Sequence, residues 1–306
     1  MKKYLKIIVL LLLLSNLMIS CKDDEAPNKS EEKTQITKVN SPNINYNISI
    51  LLDLSDRIDP QKYSNTAMEF YQRDLGYINS ISQAFTDHIR NKKVRLINDK
   101  IEVYFNPEPQ NQEINNISKK LKFEINKNNA SKSGISLVNT TYNHETAKIY
   151  DLAIKDNNYI GADIWKFFEN NVNDYCIDPN RRNILVILTD GYIFYKDTKI
   201  KEGNSTSYLL PEMIRSNGLN KANWKEKMQQ QHFGFIKANE NLSNLEILVL
   251  GVNPDKKNPY EGKVIKEYWS NWFTRMKVKR FEIKETGLPS NMDKVIKDFI
   301  LVTNDQ

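Results

Sequence analysis

Two aspartates, each closing an apolar run, are the residues of this chain best placed to do chemistry. Ile48-Ser49-Ile50-Leu51-Leu52 ends in Asp53 and continues Leu54-Ser55-Asp56-Arg57; Asn183-Ile184-Leu185-Val186-Ile187-Leu188-Thr189 ends in Asp190 and continues into Gly191. Aliphatic runs of about four to eight residues bounded by turn signals read as strands buried on both faces, as in a parallel sheet. In open parallel sheets ligands bind at the rim formed by the carboxyl ends of the strands. Asp53 and Asp190 at such a rim, with the Ser55 hydroxyl two residues after the first, make a hard oxygen-rich corner suited to Mg²⁺ or Ca²⁺.

Asp53-Leu54-Ser55 followed much later by Leu188-Thr189-Asp190-Gly191 resembles the von Willebrand factor A (VWA) domain. The likeness spans about residues 45–303 by the order of its elements. It implies a divalent metal held by a D-x-S-x-S loop after the first strand, a threonine from a middle loop and the aspartate of a T-D-G turn. Asp53, Ser55 and Asp190 match those positions. The fifth position of the first loop is Arg57 where the family has serine, and the middle loop reads Gly161-Ala162-Asp163-Ile164, with Ala162 in the threonine's place. Asp56 and Asp163 are the oxygens that stand ready to replace the missing ligands. Three arrangements are open: a metal held by Asp53, Ser55, Asp190, Asp163 and Asp56; a decayed site in which Asp53 and Asp190 serve as rim hydrogen-bond acceptors; or a metal-free site in which Arg57 pairs with Asp190 or Asp163.

Two function classes follow. The first is a binding or assembly module whose rim recognises an unknown macromolecule, expected to be a protein, with no enzymatic activity. The alternative is a Mg²⁺-dependent phosphohydrolase using the rim aspartates. Against the latter, Ser55 occupies the position where D-x-D-x-[TV] phosphatases carry their acid, and neither a Gly-rich phosphate loop nor a G-x-S-x-G elbow occurs.

The amino-terminal region reads as a targeting segment. Lys2, Lys3 and Lys6 precede the apolar block Ile7 to Leu14, and Met18-Ile19-Ser20-Cys21 resembles a bacterial lipobox. The block is shorter than the roughly 20 residues of a spanning helix. The expected product is a signal peptide over residues 1–20, lipid on Cys21, and a chain anchored to the bacterial outer membrane. Lys22-Asp23-Asp24-Glu25 resembles a surface-export signal of some Gram-negative lipoproteins; a solvated acidic tether is the other reading. Residues 21–44 form the expected flexible tether.

Formal charge is +6, and residues 1–20 carry three lysines and no acid, leaving +3 after cleavage. That is too small and too evenly spread for nucleic-acid binding. Cys176 is the only other cysteine, so no intramolecular disulfide forms once Cys21 is lipidated, and His88, His144 and His232 lie far apart in sequence, which excludes a Cys/His zinc cluster.

The positioning elements follow from periodicity. Pro60 to Arg90 predicts a long helix with Pro60 in its first turn. Val94 to Ile97 and Ile101 to Phe105 predict a hairpin around Asn98-Asp99, resembling the second and third strands of a VWA sheet. Residues 107–145 read as an irregular insertion with one helix near Glu113 to Leu121. Helices are expected over Gly161 to Val172, Asn223 to Phe235, Val264 to Met276 and Met292 to Val302, and strands over Leu245 to Val252 and Lys279 to Ile283. Tyr192, Phe194 and Tyr195 read as a strand extension packed beneath a loop, with a ring-bearing rim loop as the other option. Trp269 and Trp272 fall on a helical stripe and belong to the core. Alternating strands and helices predict an α/β, doubly wound, mostly parallel sheet with helices on both faces and one antiparallel edge strand.

Overall fold

A computed structural model describes residues 43–302; the expected signal peptide, Cys21 and nearly all of the expected tether lie outside the described residues. The central sheet has six strands: β1 (Tyr46–Leu52), β2 (Asn98–Tyr104), β3 (Phe123–Asn126), β4 (Arg182–Leu188), β5 (Leu245–Val252) and β6 (Arg280–Glu285). Their order across the sheet is β6-β5-β4-β1-β2-β3. All neighbours are parallel except β3, which runs antiparallel on β2 at the edge. This is the doubly wound α/β arrangement expected from the alternating elements, consistent with a VWA-like architecture.

Every residue of β1, β4 and β5 is buried, which is why these strands are continuous apolar runs rather than alternating ones. Side chains still alternate between two cores. Ile48, Ile50, Ile184, Val186, Leu248 and Leu250 face one side; Leu51, Leu185, Ile187, Ile247 and Val249 face the other. The first face is covered by the helices α1 (Phe70–Arg90), α3 (Lys132–Asp156) and α9 (Pro289–Leu301), with α2 (Gln112–Ser118) against α3. The second is covered by α4 (Ile164–Asn170), α5 (Val172–Cys176), α6 (Pro211–Ser216), α7 (Trp224–Gln231) and α8 (Glu261–Arg275). Trp269 and Trp272 of α8 are fully buried there, and Cys176 is a buried free thiol.

Four expectations are corrected. The long helix begins at Phe70, not near Pro60, because Glu69 and Gln72 form a capping box there; residues 53–69 instead form a loop with one 3₁₀ turn at Asp56–Ile58. The hairpin at 94–105 does not form. Val94–Leu96 is a 3₁₀ turn, and Asn98-Asp99 opens β2, with Asp99 buried and accepting from the Tyr46 amide at 2.6 Å and Lys92 Nζ at 2.7 Å. Residues 107–145 are regular: they hold α2, β3 and the first half of α3, capped by Ser131 on the Gly134 amide. Finally, Gly161–Ala162 pairs as a short strand with Phe194–Tyr195, so that α4 starts only at Ile164 with Asp163 as its cap. Among the described residues no helix is long and apolar enough to cross a membrane.

Candidate functional site

β1 and β4 are adjacent and parallel, and connections leave them in opposite directions, to β2 and to β5 respectively. A crevice opens at such a topological switch point. The register aligns Leu52 with Leu188, and the Asp53 amide donates to the Leu188 carbonyl at 3.1 Å. Asp53 and Asp190 therefore leave the same edge of the sheet side by side. A cavity of about 730 Å³ opens there, and Asp53, Ser55, Asp56 and Asp190 all line it.

Two glycines let the backbone turn at this edge. Gly191, with φ +95°, would bring a Cβ to 2.8 Å from Ile265 Cγ2. Gly251, with φ +99°, would bring one to 2.9 Å from the Thr189 carbonyl oxygen. Both conformations lie where only glycine is at ease.

Asp53 is 2 % exposed. Its Oδ1 accepts from the Ser55 amide at 2.9 Å and its Oδ2 from the Thr189 hydroxyl at 2.8 Å. Arg57 turns inward rather than to solvent. Its Nε donates to the Asp53 carbonyl at 3.0 Å and lies 3.6 Å from Asp53 Oδ2. One terminal nitrogen donates to Asp74 Oδ2 at 2.6 Å and to the Leu188 carbonyl at 3.0 Å. The Tyr150 hydroxyl completes the group by donating to Asp74 Oδ2 at 2.9 Å. Burial opposes the charge on Arg57, but Asp74 and Asp53 outweigh it and raise its pKa. Burial raises the Asp74 carboxyl in turn, with Arg57 pulling it back.

Asp190 is half-buried on the cavity wall, where Oδ1 accepts from the Tyr192 amide at 3.0 Å. Burial, reinforced by the neighbouring charge of Asp53, pushes its carboxyl up to about 7 against the pull of Arg57. Asp56 pairs with Lys62 at the outer lip. Asp163 is not among the lining residues; its carboxylate accepts from the Lys166 amide at 3.0 Å as the cap of α4 and from the Thr198 hydroxyl. Arg57 thus pairs with Asp74 and Asp53, not with Asp190 or Asp163. Tyr192 and Phe194 line the cavity, and Phe194–Tyr195 pair with Gly161–Ala162 in a separate two-stranded sheet, so the aromatic run is part of the wall and not the expected extension of β4. None of the residues of α7 does so.

A hard divalent ion asks for about six or more oxygen ligands around one point. Here Ala162 offers none, both oxygens of Asp53 are engaged, and a guanidinium lies against them. Among the described residues no three His, Cys, Asp or Glu side chains are grouped to hold a metal ion. As arranged, these residues do not fit such an ion. Sequence reasoning missed Asp74 and Tyr150. The available signal was an acid on an otherwise apolar helical stripe: Asp74 falls between Tyr71 and Tyr77-Ile78 in α1, on the face turned to the sheet.

No family model matches the chain, and no curated protein does. Among solved structures the chain is similar to the conserved hypothetical protein BatB from Bacteroides thetaiotaomicron, with a TM-score of 0.34, 11% identity, and coverage of 83% of this chain and 97% of that one. It is also similar to the pilus adhesin SpaC from Lactobacillus rhamnosus GG, with a TM-score of 0.37, 10% identity, and coverage of 84% of this chain and 31% of that one. The chain thus spans about a third of the adhesin's length. Likeness at this level carries no functional argument. The strand order and the antiparallel edge strand describe a doubly wound, mostly parallel α/β fold, consistent with a VWA-like architecture.

Proposed function

We propose that this chain is a lipid-anchored, non-enzymatic recognition module that engages a protein partner through the rim cavity, with Arg57 supplying the positive charge that a metal supplies in the family it resembles. The observation that carries this reading is the buried Arg57 guanidinium, held by Asp74 at 2.6 Å and by the Asp53 and Leu188 carbonyls at 3.0 Å, beneath an open cavity at the switch point. An arginine is always charged and presents its donors in a rigid fork, so it neutralises a carboxylate pair without exchange with solvent. The same engagement of Asp53 speaks against its use as a phosphoryl-transfer nucleophile, and Ser55 offers no general acid.

Lipid anchoring is supported by Met18-Ile19-Ser20-Cys21. The chain enters β1 at the edge opposite the cavity. Seven residues of strand separate the two edges, roughly 20 Å at about 3.3 Å per residue.

The test is photocrosslinking of the full chain on intact cells. A photoreactive side chain at Tyr63, on the cavity wall and 41 % exposed, is compared with one at Leu137, 55 % exposed on α3. A discrete protein adduct from position 63 and none from 137 is the expected result. Equal labelling at both positions, or none at 63, would reject a recognition role for the rim.

A further inference from the structure

We infer that the rim cavity receives a basic side chain, arginine or lysine, from the protein partner; this rests on the recognition role proposed above and names its chemistry. The lining carries five carboxylates (Asp53, Asp56, Asp190, Glu212 and Asp255) against two guanidinium groups, Arg57 and Arg215. Tracing each ion pair shows where the negative excess sits. Arg57 is shared between Asp53 and Asp74. Arg215 lies 2.9 Å from Glu212 and 4.0 Å from Asp255, so one cation serves two acids again. Lys62 offsets Asp56. Asp190 has an amide donor and, among the described residues, no ion pair with any basic side chain, although it is half-buried and faces the cavity. A low-dielectric wall with surplus negative charge attracts a cation more strongly than the same charges would in open solvent.

The rest of the wall suits an organic cation. Tyr63, Phe70, Tyr159, Tyr192 and Phe194 line the same space. The chain already sets its own cations on rings at this mouth: Lys62 Nζ lies 5.4 Å from the Tyr63 ring centroid, and the Arg73 guanidinium carbon 5.3 Å from that of Phe70. Aromatic faces and carboxylates together hold a guanidinium or ammonium through cation–π attraction and charge-assisted hydrogen bonds. A volume of about 730 Å³ admits such a side chain with part of its flanking backbone. The cavity therefore reverses the polarity of a metal rim: an open metal position attracts an acid, whereas this wall attracts a base.

The test uses the full-length lipoprotein in detergent micelles and three capped pentapeptides, Gly-Gly-X-Gly-Gly, in which X is arginine, citrulline or aspartate. Binding is read by isothermal calorimetry at low salt and pH 8.5, where the raised Asp190 carboxyl has given up its proton. Citrulline keeps the shape of arginine and removes its charge. We expect saturable binding of the arginine peptide, at least tenfold weaker binding of the citrulline peptide, and none of the aspartate peptide. Asp190→Asn should weaken the arginine peptide at least threefold. Asp255→Asn, at a second lining carboxylate, should do the same and removes charge from the wall independently of Asp190. Equal binding of arginine and citrulline, preference for aspartate, indifference to both substitutions, or no binding of any peptide would each overturn this inference. None of those results touches the recognition role itself, which crosslinking from position 63 reports independently.

Discussion

At the residue scale, Arg57 carries the most weight. Its guanidinium is almost wholly buried between Asp53 and Asp74, so removing it leaves two buried carboxylates without their counter-ion. Losing one partner of a buried ion pair costs about 3–5 kcal/mol, whereas replacing the whole pair with apolar groups is often near neutral. Arg57→Met should therefore destabilise the fold by about that amount in urea unfolding, and Arg57→Met combined with Asp74→Leu should recover most of it. If the double variant is no more stable than the single one, the pair is not the energetic unit described. On the reading proposed here, Mg²⁺, Ca²⁺ or EDTA leaves the Tm of the parent protein unchanged; a metal-dependent rise would return the site to cation binding.

Asp190 gives a pH signature. Its folded carboxyl sits near 7, against an ordinary value near 4, so the folded state holds a proton that the unfolded chain has already released. The associated stability is fully present below about pH 4 and is lost as pH rises through about 7. Asp190→Asn keeps the neutral form at every pH. It should match the parent near pH 4 and exceed it by about 1–2 kcal/mol at pH 8, the figure being reduced because the group is part-exposed to cavity water. An unchanged difference between the two pH values would contradict the assignment.

At the element scale, the two edges of the sheet are built differently. The rim edge carries the cavity of Asp53 and Asp190, while the opposite edge is cross-linked by charge around Arg182 and Glu246. Arg182 of β4 meets Glu246 of β5 in a bidentate pair at 2.9 and 2.8 Å, and Arg280 of β6 joins at 2.7 Å. Arg182 also donates to the Phe299 and Ile300 carbonyls at the end of α9, where the negative end of the helix dipole favours a cation. Glu246→Ala should cost about 3–5 kcal/mol in chemical denaturation, because it leaves two guanidinium groups facing each other without a counter-ion. A loss below about 1 kcal/mol would mean that solvent replaces Glu246 easily. Rigidity at this edge fixes β4 and β5, whose other ends carry Asp190 and Gly251.

At the scale of the whole molecule, the geometry is of a domain entered at one sheet edge and presenting a cavity at the other. Whether that domain is anchored rests on Cys21. Cys21→Ser should abolish incorporation of labelled palmitate and move the protein from the membrane to the soluble fraction; retention in the membrane after that change would disprove lipid anchoring.

How much of this was legible in advance differs element by element. The buried parallel strands announced themselves because a strand covered on both faces must be apolar throughout, and their terminal aspartates marked the rim. The antiparallel edge strand was expected in kind but misplaced: Asn98-Asp99 carries turn chemistry locally, yet Asp99 is drawn into β2 by Lys92, His88 and the Tyr46 amide. Helix α3 went unread because its buried stripe of Ile135, Val138, Tyr142, Ile149 and Tyr150 is diluted by asparagine and threonine. Sequence alone determined the class of fold and the place of Asp53 and Asp190, since both depend on near-neighbour periodicity. Only the tertiary structure decided what surrounds them. Arg57 could have turned to solvent, to a rim acid or inward, and the choice fell to Asp74 and Tyr150, 17 and 93 positions further along the chain and brought near only when α1 and α3 pack on the same face of the sheet.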